Sequence, residues 1–390
     1  MRIFMLVQHP TARGPVAKHT SHLVAALRSR GCTVTTHTWG QRHPDESLFK
    51  KVIERVQDVV SVRRAVKAQK LDVAVVKTAH DWRTLLRDIP VVFMIRQRCR
   101  PVVLQFHGSQ ASALIEPGRR AFKLATAILL ALVDGVMVLS TEEQRQVQAF
   151  RSRTAVFTVK NPYIGVFPSG ASEPPKTTAP TSRVLFVGRI IEEKGIFDLV
   201  EAFADVLEQE RCDLVIVGEG SQERVLRDRI RRLGLEGHVT MPGYLSGAAL
   251  SERYRESMIF VLPSWSEGFP TVLAEAMDAG LPIVTTRIRG AADHLLDGEN
   301  ALFTEPRDVK GLASAIKTLL RSPELRAKMR SANRKRVRIF EPEIVGAEYL
   351  QVLHSLILVT GGSDPSTAEA TVRGDASGTS FSSSRRRYGR

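Results

Sequence analysis

Met258-Ile-Phe-Val-Leu-Pro-Ser-Trp-Ser-Glu-Gly-Phe-Pro-Thr-Val-Leu-Ala-Glu-Ala-Met-Asp-Ala-Gly-Leu-Pro-Ile-Val-Thr-Thr286 decides how the chain folds. The apolar run Met258 to Leu262 reads as a buried parallel strand. A Pro/Ser/Gly loop follows, then Thr271 to Ala279 reads as a helix and Pro282 to Thr285 as the next strand. In this β-loop-α-β unit Gly268 lets the backbone approach a partner closely, and Pro270 falls in the first helical turn, where no N–H is needed. Free N–H groups around Phe269 and Thr271 then point out of a helix N-terminus and attract anions, phosphate above all. A phosphate repels Glu267, so sugar hydroxyls, which donate hydrogen bonds to a carboxylate, suit it better. As bare helix-start charges, Glu267 and Glu275 would only complement the macrodipole.

Set in Ser-Glu-Gly-Phe-Pro-x-x-x-Ala-Glu-Ala-Met, Glu267 and Glu275 resemble the Glu-x7-Glu signature of the retaining family 4 (group 1) glycosyltransferases. The resemblance implies the GT-B fold, an α/β architecture of two Rossmann-like domains with parallel sheets. It also implies that Glu267 faces the donor sugar, that Glu275 holds the ribose hydroxyls, and that the backbone of Gly268, Phe269, Pro270 and Thr271 lies against the diphosphate.

A chain of 390 residues with 43% hydrophobic content suits two α/β domains and a tail. Cys32, Cys99 and Cys212 have no metal or redox spacing and read as buried thiols of a reducing compartment. Met1 to Val7 passes directly into polar residues without a small-residue cleavage site, so no signal peptide is expected. The longest apolar run, Leu124 to Val133, is too short to span a bilayer. The expectation is a cytoplasmic protein. Residues 1–168 hold 26 Lys+Arg against 11 Asp+Glu, whereas residues 169–390 hold 30 of each, so the whole net charge of +15 belongs to the first half. A basic half suits nucleic acid, an anionic lipid surface or an anionic acceptor, and equally a surface kept soluble by charge. The cluster Arg96, Arg98 and Arg100, with Arg63, Arg64, Arg119 and Arg120, is the stretch that would rest on an anionic membrane at its inner face.

Residues 1–168 read as the first domain. Arg2 to Gln8 is a strand, His9 to His19 a loop, Thr20 to Arg30 a helix, and Thr33 to Thr38 a strand. Relatives place a glycine-rich turn after the first strand, near the donor diphosphate; here Gly14 stands alone before Pro15, with Lys18 following. Pro101 to Gly108 is a strand running into His107-Gly108 at its C-terminal end, where open α/β sheets place ligands. The resemblance sets His107 beside the donor sugar. Ser140 and Glu143 form a capping box, which accounts for them without any chemistry. Residues 169–182, rich in Pro, Ser and Thr, read as a linker.

The second domain, residues 183–341, restarts the Rossmann-like pattern with Val184-Leu-Phe-Val-Gly-Arg-Ile-Ile-Glu-Glu-Lys-Gly195. Arg189 and Lys194 open a helix after Gly188, and two fixed cations there suit a diphosphate. The segment resembles the family's Gly-Arg-x5-Lys-Gly element, whose Arg and Lys stabilise the leaving nucleoside diphosphate. Gly218-Glu-Gly220 resembles a turn near base and ribose, and Gly243 and Tyr244 fall where relatives read the base. Arg289 to Asn300 departs from the family's Gly-Gly-x-x-Glu at Arg289 and Asp293 and receives no role. Residues 342–359 read as a closing helix that crosses back to the first domain, and 360–390 as a disordered basic tail.

The resemblance implies retaining transfer of a sugar from a nucleotide-sugar, UDP- or GDP-linked, to an acceptor hydroxyl of a glycan, polysaccharide or lipid-linked molecule. Glu267, His107, Arg189 and Lys194 would carry the chemistry. No further cofactor, no metal and no specific nucleic acid is expected, because no Asp-x-Asp sits at a strand end and fixed cations can stand in for a metal. A sugar-nucleotide epimerase or hydrolase of the same fold, and a non-catalytic module binding nucleic acid or lipid, are the alternatives.

Overall fold

The computed structural model of the protein describes residues 1–8, 15–39, 48–165 and 182–361. Apolar runs without alternation become central parallel strands, covered by helices on both faces. The first sheet holds β1 (Arg2–Gln8), β2 (Thr33–Trp39), β3 (Val73–His80), β4 (Val102–Ser109), β5 (Gly135–Val138) and β6 (Val156–Thr158), in the order β2-β1-β3-β4-β5-β6. The second holds β7 (Ser182–Val187), β8 (Cys212–Val217), β9 (Val239–Gly243), β10 (Ile259–Leu262), β11 (Ile283–Thr286) and β12 (Ala301–Thr304), in the order β12-β11-β10-β7-β8-β9. Every pairing is parallel. Strand order therefore reverses between β1 and β3 in one sheet and between β7 and β10 in the other. Such switch points open a crevice at the carboxyl ends of the strands.

The first helix runs Pro15–Ser29 and not from Thr20, because proline at the first helical position is pre-set for the helix and lacks only an N–H that would have no partner. Residues read as loop are thus helical, and His19 and Thr20 lie inside the helix. Pro270 stands one position before the helix Thr271–Asp278, in extended conformation, and not within its first turn. Gly14 lies outside the described residues. So do the linker 169–182 and the tail 360–390, except that Ser182 opens β7 and Thr360 and Gly361 end the last helix.

That last helix, Pro342–Gly361, is long and apolar enough to cross a membrane, so the run Leu124 to Val133 does not set the limit read from sequence. Its inward face is core: Val345, Tyr349, Leu353 and Leu356 pack with Leu23, Leu27, Val75 and Val103 of the first domain. Tyr349 donates to Gln105 Oε1 at 2.9 Å, and Lys160 pairs with Glu348. The chain thus returns to its first domain after completing the second. Cys99 and Cys212 are buried free thiols, pushed up to about 11 and about 12 by burial, while Cys32 is only half-buried.

Candidate active site

Glycine makes the second-domain half of the site. At the switch point the loop after β7 presses backbone against backbone with the loops after β8 and β10. Gly195 adopts φ +64°, and a Cβ there would stand 2.0 Å from the Pro263 carbonyl oxygen. A Cβ on Gly218 would stand 1.9 Å from Gly188 O, and one on Gly220 would stand 2.1 Å from Ile190 O. Hydrogen bonds close these contacts: Gly188 N donates to Val217 O at 3.0 Å, Ile190 N to Glu219 O at 2.9 Å, and Trp265 N to Glu193 O at 2.9 Å. The Trp265 indole N–H is held by Asp198 at 2.8 Å, and the Arg307 guanidinium lies over its ring.

This close approach sets the Lys194 ammonium against the Glu267 carboxylate, both largely buried. Burial, then the neighbouring Arg189, push Lys194 down to about 8, with Glu193 opposing. Arg189 itself is exposed at the rim. Helix Thr271–Asp278 begins beside Glu267, and its first N–H groups have no carbonyl four residues back. Phe269 turns its ring inward, stacked on Phe340 at 4.7 Å and edge-on to His294, so only its backbone is free to meet a ligand. Glu275 is half-buried and accepts the phenol of fully buried Tyr254 at 2.8 Å, which fixes its orientation. Gly243, at φ +81°, accepts from Gly218 N at 2.9 Å, and Tyr244 beside it exposes its ring.

The opposing half comes from the first sheet. His107 lies in β4, two residues before its end, with both ring nitrogens shielded from solvent and without a hydrogen-bond partner. Burial, with Lys77 and His19 nearby, holds its pKa well below the usual histidine value, so the ring is neutral. Lys77, on β3, is itself buried and is pushed down to about 7; its amine donates to Thr20 Oγ1 at 3.1 Å. From the same helix His19 Nε2 meets Thr271 Oγ1 at 3.1 Å, directly at the helix start after Glu267. A Cβ on Gly268 would come within 3.2 Å of Leu139. The Glu267 loop therefore faces the strand ends of the first sheet.

Arg289 and Asp293, to which the sequence assigned no role, clasp the two domains. Arg289 donates to Ser109 O at 2.9 Å and pairs with buried Glu143 at 3.4 Å, while Asp293 accepts from Thr141 N at 2.7 Å and from its hydroxyl. Glu143 caps less locally than expected: Ser140 Oγ accepts from Glu143 N, but the Glu143 carboxylate takes Leu139 N at 3.1 Å, not Ser140 N. His19, Lys77, Arg289 and Asp293 are the site residues that sequence reasoning missed. A buried-strand lysine in Asp72-Val-Ala-Val-Val-Lys77 was the one local signal available. Among the described residues no three His, Cys, Asp or Glu side chains stand together as metal ligands. A cavity of about 780 Å³ among Arg330, Arg334, Lys335 and Arg338 shares no residue with the site.

Residues 173–336 match the family of glycosyl transferases group 1. An uncharacterized glycosyltransferase of Methanocaldococcus jannaschii is 32% identical over 137 residues, 35% of either chain. Glycogen synthase of Mycobacterium tuberculosis is 26% identical over 385 residues, covering 86% of this chain and 90% of its own. The structure of Anabaena HepE in complex with UDP and glucose superposes with a TM-score of 0.70 at 20% identity, covering 91% of this chain and 100% of that one. Residues 173–336, and with them the second domain, thus carry the match to the group 1 glycosyl transferases, and the chain as a whole is built on the GT-B fold.

Proposed function

We propose that the protein transfers a sugar from a nucleoside diphosphate sugar, a UDP-sugar first, to a hydroxyl of a glycan or lipid-linked acceptor, with retention of anomeric configuration and without a metal. The juxtaposition of Lys194 and Glu267 at the β7/β10 switch point carries this reading. Paired with each other, the two are mutually neutralised. A bound diphosphate would draw the Lys194 ammonium and the Arg189 guanidinium to its oxygens, beside the N–H groups of Thr271 and Val272. Glu267 is then released to sugar hydroxyls and to the positive charge that develops at the anomeric carbon. His107 supports the same placement. A buried nitrogen without a partner costs about 1–3 kcal/mol, and a sugar hydroxyl entering the cleft recovers that. Glu275, oriented by Tyr254, faces the ribose in this reading, and Gly243 and Tyr244 lie at the base. Support for UDP comes from HepE, which shares the fold and binds it.

Glu267→Ala tests the assignment. Transfer should fall by at least about a hundredfold, with UDP binding by thermal shift retained and rates unchanged by a chelator. Transfer at the wild-type rate in Glu267→Ala, or activity that a chelator abolishes and a divalent ion restores, overturns the respective part.

A further inference from the structure

The first domain turns an apolar surface to solvent that the cleft does not use. On helix Trp82–Arg96 the exposed residues include Trp82, Leu86, Pro90 and Phe93, spaced by four, four and three positions, so they form one stripe along the helix. The neighbouring helix Arg120–Ala131 exposes Leu124 and Ile128 on a second stripe. Leu86 is 71% exposed, Leu124 64% and Phe93 53%, so each keeps more than half of its surface in solvent. Single exposed apolar residues need no explanation, but two adjacent helices presenting continuous stripes do.

Cations frame this surface at both ends. Arg96 and Arg100 share Asp134 at one end, where Arg98 is also exposed, and Arg119 and Arg120 stand exposed at the other. Asp88 is buried beneath with Thr78 and Arg87, Asp134 is nearly buried, and Asp81 caps its own helix; Glu116 is exposed beside Arg119 and Arg120, but the exposed arginines outnumber it and the surface stays basic. At the cleft end, Trp82, Arg119, Arg120 and Phe122 line a cavity of about 640 Å³. Its wall begins at Asp81 and Gln110, directly after β3 and β4.

We propose that the apolar face of helices Trp82–Arg96 and Arg120–Ala131, framed by its arginines, docks the protein on an anionic lipid bilayer. An apolar stripe enters the boundary between headgroups and acyl chains, and arginines at its ends meet lipid phosphates. Charge decides for lipid over a neutral protein surface: all of the chain's net charge lies in residues 1–168.

The test is co-sedimentation of the full chain with phosphatidylcholine vesicles, with and without about 30% phosphatidylglycerol, at low and high salt. Wild type should bind the anionic vesicles and lose much of that binding in salt. Leu86→Glu/Leu124→Glu/Ile128→Glu should weaken binding at least about tenfold, while Val225→Glu on the second domain leaves it unchanged and both variants keep their nucleotide thermal shift. Three results overturn the proposal: no binding to anionic vesicles at low salt, equal binding by the triple variant, or a wild-type dimer that the triple variant abolishes without any vesicle binding. The last would mean that a second copy covers this face.

Discussion

Gly195→Ala isolates the contact on which the second-domain half of the candidate site depends. Gly195 and Gly234 both adopt the left-handed conformation, at φ +64° and +68°. At Gly234 a Cβ meets nothing within 4 Å, whereas at Gly195 it would sit 2.0 Å from the Pro263 carbonyl oxygen. Gly234→Ala therefore carries the conformational cost alone, about 1–2 kcal/mol. Gly195→Ala adds an overlap of more than about 1 Å with backbone, and overpacking of that kind costs about 1–3 kcal/mol more. The second-domain transition should fall by roughly 5–15 °C, against a few degrees for the control.

Function separates the two variants further. To relieve the overlap, the loop carrying Lys194 must move away from the loop carrying Glu267, and a shift of about 1 Å in reacting groups costs on the order of a hundredfold in rate. Calorimetry and transfer rates on both variants are the assay. If Gly195→Ala melts and turns over like Gly234→Ala, the loops are not held by this contact and the placement of Lys194 needs another cause.

Lys194, at about 8, is charged below that pH and neutral above it. UDP affinity measured by titration calorimetry should weaken by up to about tenfold per pH unit above 8, and Lys194→Arg should hold level. Because the folded value lies below that of an unfolded lysine, the group's own contribution to stability improves over the same rise in pH, so the lost affinity is not unfolding; a flat wild-type profile refutes this. Lys77, pushed down to about 7, costs stability progressively as pH falls from the ordinary lysine range to 7, and by a constant amount below that. Lys77→Met should exceed wild type at pH 7 in denaturant unfolding by up to about 5 kcal/mol, with the gap closing near pH 10; a less stable variant at pH 7 counts against it. Arg289→Ala removes the cross-domain cation from buried Glu143. Small-angle scattering should show a wider particle and kcat/KM should drop by about five- to a hundredfold, and unchanged scattering would show that the clasp does not hold the domains.

The sequence made legible what local spacing carries. Arg189, Lys194 and Glu267 follow an apolar strand and His107 stands near the end of one, and strand ends of an open parallel sheet are where ligands bind. Gly218 and Gly220 were weak signals because their reason is distant: the carbonyls of Gly188 and Ile190, which only the β7/β8 pairing brings near. His19 was hidden by reading a loop where Pro15 starts a helix. Arg289 and Asp293 had no readable role because their partners Ser109, Thr141 and Glu143 lie in the other domain, and no periodicity encodes a contact between domains. β12 was missed because four residues, buried at both ends and half-buried between, give no clear period.

The clasp and the donor loop are one mechanical unit. Helix Arg289–His294 follows β11, and its Gly290 N donates to Gly268 O at 2.7 Å, so close that a Cβ on Gly290 would stand 2.1 Å from that oxygen. Gly268 is the residue next to Glu267. Arg289, beside Gly290, reaches Ser109 at the end of the strand that carries His107. Any motion that separates the domains at Ser109 therefore pulls on the backbone that positions Glu267, and any ligand that orders the Glu267 loop tightens the grip on the first domain. Reciprocal coupling of this kind lets a ligand bound in the cleft favour closure without a separate lid. Arg289 and Asp293 stand on this one helix, so the ion pair with buried Glu143 and the bonds to Ser109 and Thr141 all bear on the backbone beside Glu267.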